Sequence, residues 1–361
     1  MSSTRTAGAL GAAAVLLLAA CAPSTTTGPQ TTVSIDPEPS TSAVALPAAP
    51  EDPRPEVAWP LTGLDAEGAT KAERNRPALS IKIENTDAAR PQENLDQADV
   101  VFEEYVEYGI SRLVAVFHSQ YPDSVGPIRS MRPMDQNIMG SFDGPLIFSG
   151  AQSRFISAAR ATGQRLIAQD VGSTGFYRTT YRAAPHNLHG YPETFAAQAS
   201  DMSAPDQQWD IAYPAETSTA QVEGEKATHL DIEMSARAQP DWKWDADEQL
   251  WMRYEDTEPH VTMDGVQLSA SNVVMLWVTV QYTSGSSTSS VPETLLAGQS
   301  GKGYVASGDH VIPIKWSKAG QFDEYELTTE DGEPVALSPG QTWFELVPNQ
   351  GVGHSTSIDI S

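Results

Sequence analysis

The sequence predicts an α+β protein, with a mixed α/β first module followed by a smaller, mainly antiparallel β module. Short segments in which apolar and polar residues alternate dominate the chain after residue 78 and are typical of strands. Helical spacing occurs in the first half of the chain, whereas turn signals such as Asp-Gly separate the apolar segments of the second half. Seven of the eight tryptophans follow residue 200, which favours aromatic packing on a small sheet or barrel.

The alternation and the helical spacing also predict where the individual strands and helices lie. In the first module they predict strands at residues 78–84, 100–108, 112–119, 146–148 and 166–168, and helices at 130–140, 153–162 and 192–199. In the second module they predict strands at residues 250–254, 272–282, 303–307, 311–316, 324–328 and 342–347. Residues 206–228 are polar and lack periodicity, so we expect a linker there, between modules at 59–205 and 229–361.

Residues 1–20 are predicted to be a lipoprotein signal peptide. Arg5 supplies a positive charge, and the apolar stretch at 9–20 is too short for a membrane-spanning helix, which needs about 20 residues. The stretch ends in Leu18-Ala19-Ala20-Cys21, which resembles the bacterial lipobox, and Cys21 is the only cysteine of the chain. We therefore expect a lipid on Cys21 that holds the protein at the outer, extracytoplasmic face of the cell membrane. An ordinary secreted protein is the alternative.

The segment after the cysteine is predicted to be a tether. Residues 21–58 are rich in Ser, Thr, Pro and Ala and show no apolar periodicity. Such a segment cannot bury enough apolar surface to offset its ordering entropy, so we expect it to be disordered. The lipid would then be the only membrane anchor.

The charge of the chain is strongly negative but uneven. The 22 Lys and Arg against 47 Asp and Glu give a net charge of −25, which argues against nucleic acid as a partner. Residues 129–182 depart from this balance because they hold only three acidic residues and seven basic ones, all of them arginine. The seven are Arg129, Arg132, Arg154, Arg160, Arg165, Arg178 and Arg182.

This arginine-rich segment has two interpretations. Arginine presents a planar fork that suits carboxylate and phosphate oxygens, so the segment predicts a cleft that binds an anion, with Arg129 and Arg132 on either side of Ser130. The alternative is that the arginines form ion pairs with acidic residues of the fold, such as Glu103, Glu104 or Glu107.

Other chemical signals are weak. His186 and His189 could share a metal ion, but Pro185 and Gly190 favour a loop whose polar side chains bond to the backbone, and no metal site is predicted. Glu103 and Glu104 lie on opposite faces of one predicted strand, so they do not form a catalytic pair, although either could act alone as an acid or base. Serine-hydrolase, β-lactamase, metalloprotease and P-loop motifs are absent from the sequence, and no cofactor is predicted.

Several blocks of the sequence resemble YerB-like lipoproteins, a two-module family of unknown function. They include Ile83-Glu84-Asn85, Ala89-Arg90-Pro91-Gln92, Leu95 to Glu103, Tyr108 to Arg112, Val125 to Ser130 with Arg132, and Ala184 to Leu188. The resemblance covers about residues 59 to 350 and implies an extracytoplasmic, lipid-anchored protein, but it implies no reaction. The matching residues that could hold a ligand are Asn85, Arg90, Gln92, Glu103, Arg112, Arg129, Arg132, His186 and Asn187.

The leading hypothesis from the sequence is a membrane-anchored binding or accessory protein that recognises an anionic cell-envelope component, such as a peptidoglycan fragment or a phosphate polymer. One alternative is an envelope hydrolase or transferase that uses Glu103 or His186 as acid/base. Another is a scaffold for cell-wall proteins. Enzymatic activity is left open because no catalytic motif is recognised.

Overall fold

The computed structural model describes residues 53–255, 257–283 and 290–361. The predicted signal peptide, Cys21 and the tether up to residue 52 lie outside these residues. The helices are short: α1 (Lys71–Arg74), α2 (Asp135–Met139), α3 (Ser153–Ala161), α4 (Pro192–Ala197) and α5 (Thr219–Glu223). Single 3₁₀ turns lie at Leu95–Gln97, Glu107–Gly109, Gly140–Phe142, Gln169–Val171 and Ala215–Thr217.

Strands are the main regular elements of the fold. The strands before residue 212 are β1 (Leu79–Glu84), β2 (Val100–Tyr105), β3 (Ser111–Phe117), β4 (Leu146–Phe148), β5 (Leu166–Ala168), β6 (Phe176–Arg178), β7 (Leu188–Gly190) and β8 (Asp210–Ile211). The next are β9 (Glu225–Lys226), β10 (His229–Glu233), β11 (Pro240–Asp245), β12 (Leu250–Glu255), β13 (Glu258–Pro259), β14 (Ser269–Ala270) and β15 (Asn272–Tyr282). The last are β16 (Pro292–Leu295), β17 (Gln299–Ser307), β18 (His310–Lys318), β19 (Glu326–Thr329), β20 (Ala336–Leu337), β21 (Thr342–Gln350) and β22 (Ser357–Ile360).

A long mixed sheet of twelve strands runs through both predicted modules. Its order is β19-β18-β17-β15-β21-β2-β3-β1-β4-β5, with β16 beside β15 and β9 beside β18. The strand β21 comes late in the chain but lies parallel to β2 on one side and to β15 on the other. The first and second halves of the chain are therefore joined by backbone hydrogen bonds in the middle of one sheet.

A short antiparallel sheet covers one face of the long sheet. Its order is β13-β12-β11-β10-β22, with β14 beside β12. Trp242 and Trp251 of this sheet lie in the same apolar core as Val101 and Trp343 of the long sheet, and the rings of Trp242 and Trp343 meet edge to face at 5.3 Å. The opposite face of the long sheet carries a second core under α2 and α3. Because both faces are covered, β1, β2 and β3 are buried along their whole length.

The structure confirms the predicted α+β class, but some element boundaries differ. The helix predicted at 130–140 is reduced to α2, since residues 129–131 bond to neighbouring strands and Pro133 disfavours helical backbone at the residue before it. The strand predicted at 100–108 ends at Tyr105 because the chain turns at Tyr108 and Gly109, which both have positive φ. The linker at 206–228 contains β8, α5 and β9, and its role as a domain boundary stays a prediction.

Candidate functional site

The candidate residues of the first module lie on both faces of β1, β2 and β3. In the register of the three strands, Arg112 of β3 lies opposite Glu84 of β1 and opposite Glu104 of β2. The residues next to Glu84, Arg112 and Glu104 along the strands point to the other face of the long sheet. On that face, Glu103 and Asn85 meet the short sheet. The alternation of side chains along a strand thus divides the candidates into two groups.

The first group is the arginine site, formed by Arg112, Arg129 and Arg132. Arg112 donates from Nη1 to the carbonyl of Ser130 (2.9 Å), and Arg132 donates to the carbonyl of Met131 (2.9 Å). The Nε of Arg132 donates to Glu107 Oε2 (2.7 Å), while the Nε of Arg129 lies 3.2 Å from Glu84 Oε2. Two of the three guanidinium groups therefore have a carboxylate partner.

Arg112 is the exception. It is only 6% exposed, and among the described residues it forms no ion pair, while its Nε has no hydrogen-bond partner. Burial, together with repulsion from Arg132 and Arg129, lowers the pKa of Arg112 to about 10. Glu107 and Glu104 act in the opposite direction and raise this pKa, but neither carboxylate bonds to Arg112. A buried cation without a bonded counter-charge costs free energy, which an anion beside it would reduce.

His186 borders the arginine site through Glu84. Its Nδ1 lies 2.9 Å from Glu84 Oε1, which also accepts a hydrogen bond from Thr86 (2.9 Å). The Glu84 side chain is 1% exposed, whereas that of His186 is 29% exposed. Glu84 therefore holds an imidazole at the surface beside Arg129. His189 is buried elsewhere and lies 3.3 Å from Glu93.

The other arginines of the arginine-rich segment lie apart from the arginine site and have separate surroundings. Arg165 pairs with Asp201 (2.6 Å), Arg178 donates to Asn187 (2.8 Å) and Arg182 donates to the carbonyl of Pro91 (2.5 Å). Asn187, a predicted ligand residue, also donates to the carbonyls of Thr179 and Arg182 and so holds its own loop together. Arg154 donates to Thr283 (3.0 Å) and Arg160 is exposed. The segment thus contributes only Arg129 and Arg132 to the arginine site, and Arg112 comes from outside it.

A buried lysine lies beneath the arginine site. Lys82 is fully buried and bonds to Glu104 and to Asp135, the latter at 2.9 Å. Burial raises the pKa of Glu104, and the nearby Asp135 raises it further. Both carboxylates therefore bond to Lys82, and neither forms an ion pair with Arg112.

The second group is a closed hydrogen-bonded ring, which we call the buried ring: Asn85, Gln92, Glu103, Arg253 and His260. Arg253 donates from Nε to His260 Nδ1 (3.0 Å). The imidazole proton of His260 therefore lies on Nε2 and is donated to Gln92 Oε1 (2.8 Å). Gln92 donates to Asn85 (3.1 Å), and Asn85 donates to Glu103 Oε1 (3.2 Å). Arg253 closes the ring by donating to Glu103 Oε2 (2.6 Å).

Two further glutamates meet Arg253. Glu255 lies 2.7 Å and Glu345 3.0 Å from its guanidinium. Burial raises the pKa of both carboxyl groups, and repulsion from Glu103 raises each of the two pKa values further. Burial alone would lower the pKa of Arg253, but the three carboxylates raise it above its ordinary value. Each member is almost fully enclosed, so the buried ring serves mainly to connect the two halves of the chain, and His260 is its only member that borders a surface pocket of the described residues.

Arg90 is the one predicted ligand residue near the buried ring that reaches the surface. It pairs with Asp87 and lies 3.3 Å from Glu255 Oε1. It lines a pocket of about 300 Å³ together with Asp87, Pro91, Glu255, Glu258, Pro259, His260 and Val261. The structure therefore brings Arg112, Arg129, Arg132 and His186 to one region and places Asn85, Gln92 and Glu103 in another. The ligand-binding role of all these residues stays a prediction.

Sequence reasoning missed Arg253, Glu255 and Glu345. A signal for them exists in the strand pattern: Arg253 and Glu255 share the face of buried Trp251, and Glu345 shares that of Trp343. A charged residue on the apolar face of an alternating strand indicates a buried partner of opposite charge.

Comparisons with known proteins agree with this architecture. Residues 61–205 match the family model described as the N-terminal domain of a protein of unknown function (DUF3048), and residues 230–344 match the corresponding C-terminal domain. The protein named Putative lipoprotein YerB from Bacillus subtilis is 25% identical over 300 residues, which is 80% of this chain and 86% of that protein. No helix in the described part of the chain is long and apolar enough to cross a membrane.

A solved structure shows the same fold. The crystal structure of YerB from Bacillus subtilis superposes with a TM-score of 0.70 at 20% identity, covering 84% of this chain and all of that one. The two family segments follow each other in the expected order and are joined here by the long sheet and the buried ring. The chain therefore belongs to the YerB-like family, whose members combine the N- and C-terminal DUF3048 domains.

Proposed function

We propose that this protein is an extracytoplasmic lipoprotein whose arginine site binds an anionic component of the cell envelope. The observation that carries the proposal is the buried guanidinium of Arg112, which forms no ion pair among the described residues and lies beside Arg129 and Arg132. Three neighbouring guanidinium groups favour a phosphate or carboxylate group, because a guanidinium can offer paired N–H donors.

The membrane anchor is part of the same proposal. The lipobox-like segment Leu18 to Cys21 and the similarity to a relative named as a putative lipoprotein support it. Replacing Cys21 by Ser should remove the site of lipidation. We expect the wild-type protein to partition into the detergent phase of Triton X-114 extracts and the Cys21→Ser variant to remain in the aqueous phase. Equal partitioning of both would contradict the anchor.

The binding role can be tested on the soluble chain of residues 22–361. Isothermal titration calorimetry with inorganic pyrophosphate and with a glycerol-phosphate polymer measures affinity for the anionic group alone and for a polymer that carries it. We expect the double variant Arg129→Ala/Arg132→Ala to lose binding of both probes, since Arg112 alone would remain.

A matched control comes from the same arginine-rich segment. The double variant Arg160→Ala/Arg165→Ala removes two positive charges near the protein surface but leaves the arginine site intact. We expect it to bind both probes as the wild type does. Retained binding in the first double variant, or equal loss in both, would overturn the proposal.

A second candidate function is an envelope hydrolase or transferase that uses His186 as acid/base. The contact between His186 and Glu84 favours it, because a buried carboxylate would orient the partly exposed imidazole. Glu103, the other acid/base candidate, is fully buried and bonded to Asn85 and Arg253. Turnover of muropeptides that disappears in His186→Gln would support the enzyme. Stoichiometric binding without product in the wild type would count against it.

A further inference from the structure

The hairpin between β2 and β3 exposes an aromatic ring at a backbone conformation that tyrosine rarely adopts. Tyr108 has a φ of 65° and Gly109 a φ of 70°, and Tyr108 is 86% exposed. Two-residue turns with two positive φ angles favour Asn-Gly or Asp-Gly, because Asn and Asp tolerate the left-handed region at lower cost. A tyrosine here combines backbone strain with an exposed apolar ring, and both are features of functional surfaces.

Tyr108 forms one wall of a pocket of about 500 Å³, which we call the tyrosine pocket. Tyr105 and Tyr282 also line it, and Tyr282 is 47% exposed. The polar groups that line the pocket are Glu233, Ser235, Arg237, His354 and Ser355. Aromatic faces surrounded by a few hydrogen-bonding groups are the usual composition of a small-molecule site.

The turn that carries Tyr108 is held in place from the second half of the chain. Ser235 donates its hydroxyl hydrogen to the carbonyl of Gly109, and Arg237 donates to the carbonyl of Tyr108 (3.2 Å). These bonds fix the backbone of the strained turn before any ligand arrives, so the position from which the ring projects is set in the free protein.

The tyrosine pocket and the arginine site meet at this same turn. Glu107, which precedes Tyr108, accepts the hydrogen bond from Arg132 Nε at 2.7 Å. On the pocket side, the exposed Arg237 adds a second guanidinium. The turn Glu107–Gly109 is therefore bonded to two arginines, one from the arginine site and one from the tyrosine pocket.

We propose that the tyrosine pocket stacks on a sugar ring of an acidic cell-envelope glycan whose carboxylate or phosphate groups are held by Arg132 and Arg237. This inference rests on the proposed function and names the ligand class of that site. The exposed faces of Tyr108 and Tyr282 meet the C–H faces of a pyranose ring, while Glu233 and Ser355 offer partners to its hydroxyl groups. Trp242, Trp251 and Trp343 are buried in the core and do not offer such a face.

The test uses the soluble chain of residues 22–361 and two glycans of equal length. One is the neutral tetramer of N-acetylglucosamine, and the other is a peptide-free peptidoglycan tetramer that carries the lactyl carboxylates of N-acetylmuramic acid. We expect calorimetry to show at least about tenfold tighter binding of the acidic tetramer, since each arginine contact is charge-assisted.

The substitution Tyr108→Asn isolates the ring, because asparagine suits the turn and should leave the thermal midpoint unchanged or higher. We expect it to weaken binding of both glycans about tenfold and to leave pyrophosphate binding unchanged. Tyr108→Phe keeps the aromatic face and should bind within about twofold of the wild type, since stacking does not need the hydroxyl.

The outcomes separate the two proposals. Unchanged glycan binding in Tyr108→Asn, or no binding of either glycan to the wild type at millimolar concentration, would overturn the glycan inference even if pyrophosphate still binds. Equal affinity for the neutral and acidic tetramers would overturn the role of Arg132 and Arg237. Failure of pyrophosphate binding in the wild type would instead contradict the arginine site itself.

Discussion

Arg112 and Arg253 are both buried arginines, but their neighbours give the two side chains opposite effects on stability. Arg253 meets three carboxylates, whereas Arg112 meets backbone carbonyl oxygen and two other arginines. Removing the partner of buried charges is costly, while removing a buried charge that has no partner is not. The same substitution at the two positions therefore distinguishes a structural arginine from a binding one.

Arg253→Met should destabilise the protein by about 3–5 kcal/mol, since Glu103, Glu255 and Glu345 would be left without a cation. Urea denaturation at pH 7 measures the change. The loss should be smaller at pH 5, because the raised pKa of Glu255 and Glu345 allows them to become neutral there. A variant as stable as the wild type at pH 7 would contradict the role of the buried ring.

Arg112→Met should leave the free energy of unfolding unchanged or raise it, because the buried charge has no counter-charge to lose. The same variant should lose the increase in thermal midpoint that pyrophosphate gives the wild type. Melting curves with and without pyrophosphate measure both effects. A strong loss of stability without ligand would show that Arg112 is structural.

The contribution of Asp99 to the free energy of unfolding should change with pH in a defined direction. Burial raises its pKa from 3.8 to about 6, although His118 and Ser119 donate hydrogen bonds to its carboxylate. The folded protein therefore binds more protons than the unfolded chain between these values, and the contribution of Asp99 to stability falls as the pH rises from about 4 to 6.

The variant Asp99→Asn cannot titrate at this position. We expect its stability relative to the wild type to rise between pH 4 and 6, by at most about 1.4 kcal/mol per pH unit, and to stay constant above pH 6. Denaturation of both proteins at four pH values measures this. A difference that does not change with pH would contradict the raised pKa.

At the scale of elements, the pattern of apolar residues predicted the strands in which those residues alternate regularly or form a short continuous run. The segment 272–282 coincides with β15, and 146–148 and 166–168 coincide with β4 and β5. The strands β10, β11 and β22 were missed because they carry charged residues, proline or few apolar positions, and their partners decide their conformation. Likewise, no local signal shows that Arg132 pairs with Glu107 or that Arg112 lacks a partner, since both depend on chain segments that are distant in sequence.

The approach of β4 to β1 depends on a glycine. Gly144 lies just before β4, and a Cβ there would overlap the carbonyl oxygen of Ala78 just before β1. We expect Gly144→Ala to destabilise the protein by about 1–3 kcal/mol, because the two strands would have to separate. Gly68→Ala is the matched control, since no atom lies within 4 Å of the added methyl group, and it should change stability by less than about 0.5 kcal/mol. Denaturant titration compares the two, and equal effects would contradict the prediction.

At the scale of the whole molecule, the two family segments depend on each other. Phe102 of β2 stacks on Phe344 of β21 at 4.5 Å, and Glu103 bonds to Arg253. Neither half can complete its share of the long sheet without the other, so we expect the part of the chain that the structure describes to unfold in a single transition.

A fragment of residues 59–205 should therefore fail to fold alone. Without β21 it would expose the edge of β2 and leave Glu103 without Arg253. Circular dichroism should show no cooperative melting for this fragment, and mixing it with residues 206–361 should restore a transition. A fragment that melts cooperatively by itself, with dispersed amide resonances, would contradict the interdependence of the two halves.

The position of β21 also constrains the order in which the protein can fold as it is made. This central strand is formed by residues 342–350, so it emerges from the ribosome after almost all of the chain that surrounds it. The pairing of Val100 with Thr342 spans more than two hundred residues, and pairings of such high contact order form slowly. The first half of the chain therefore keeps an open sheet edge until residues 342–350 are available to cover it, and this interval is when the protein depends most on protection from aggregation.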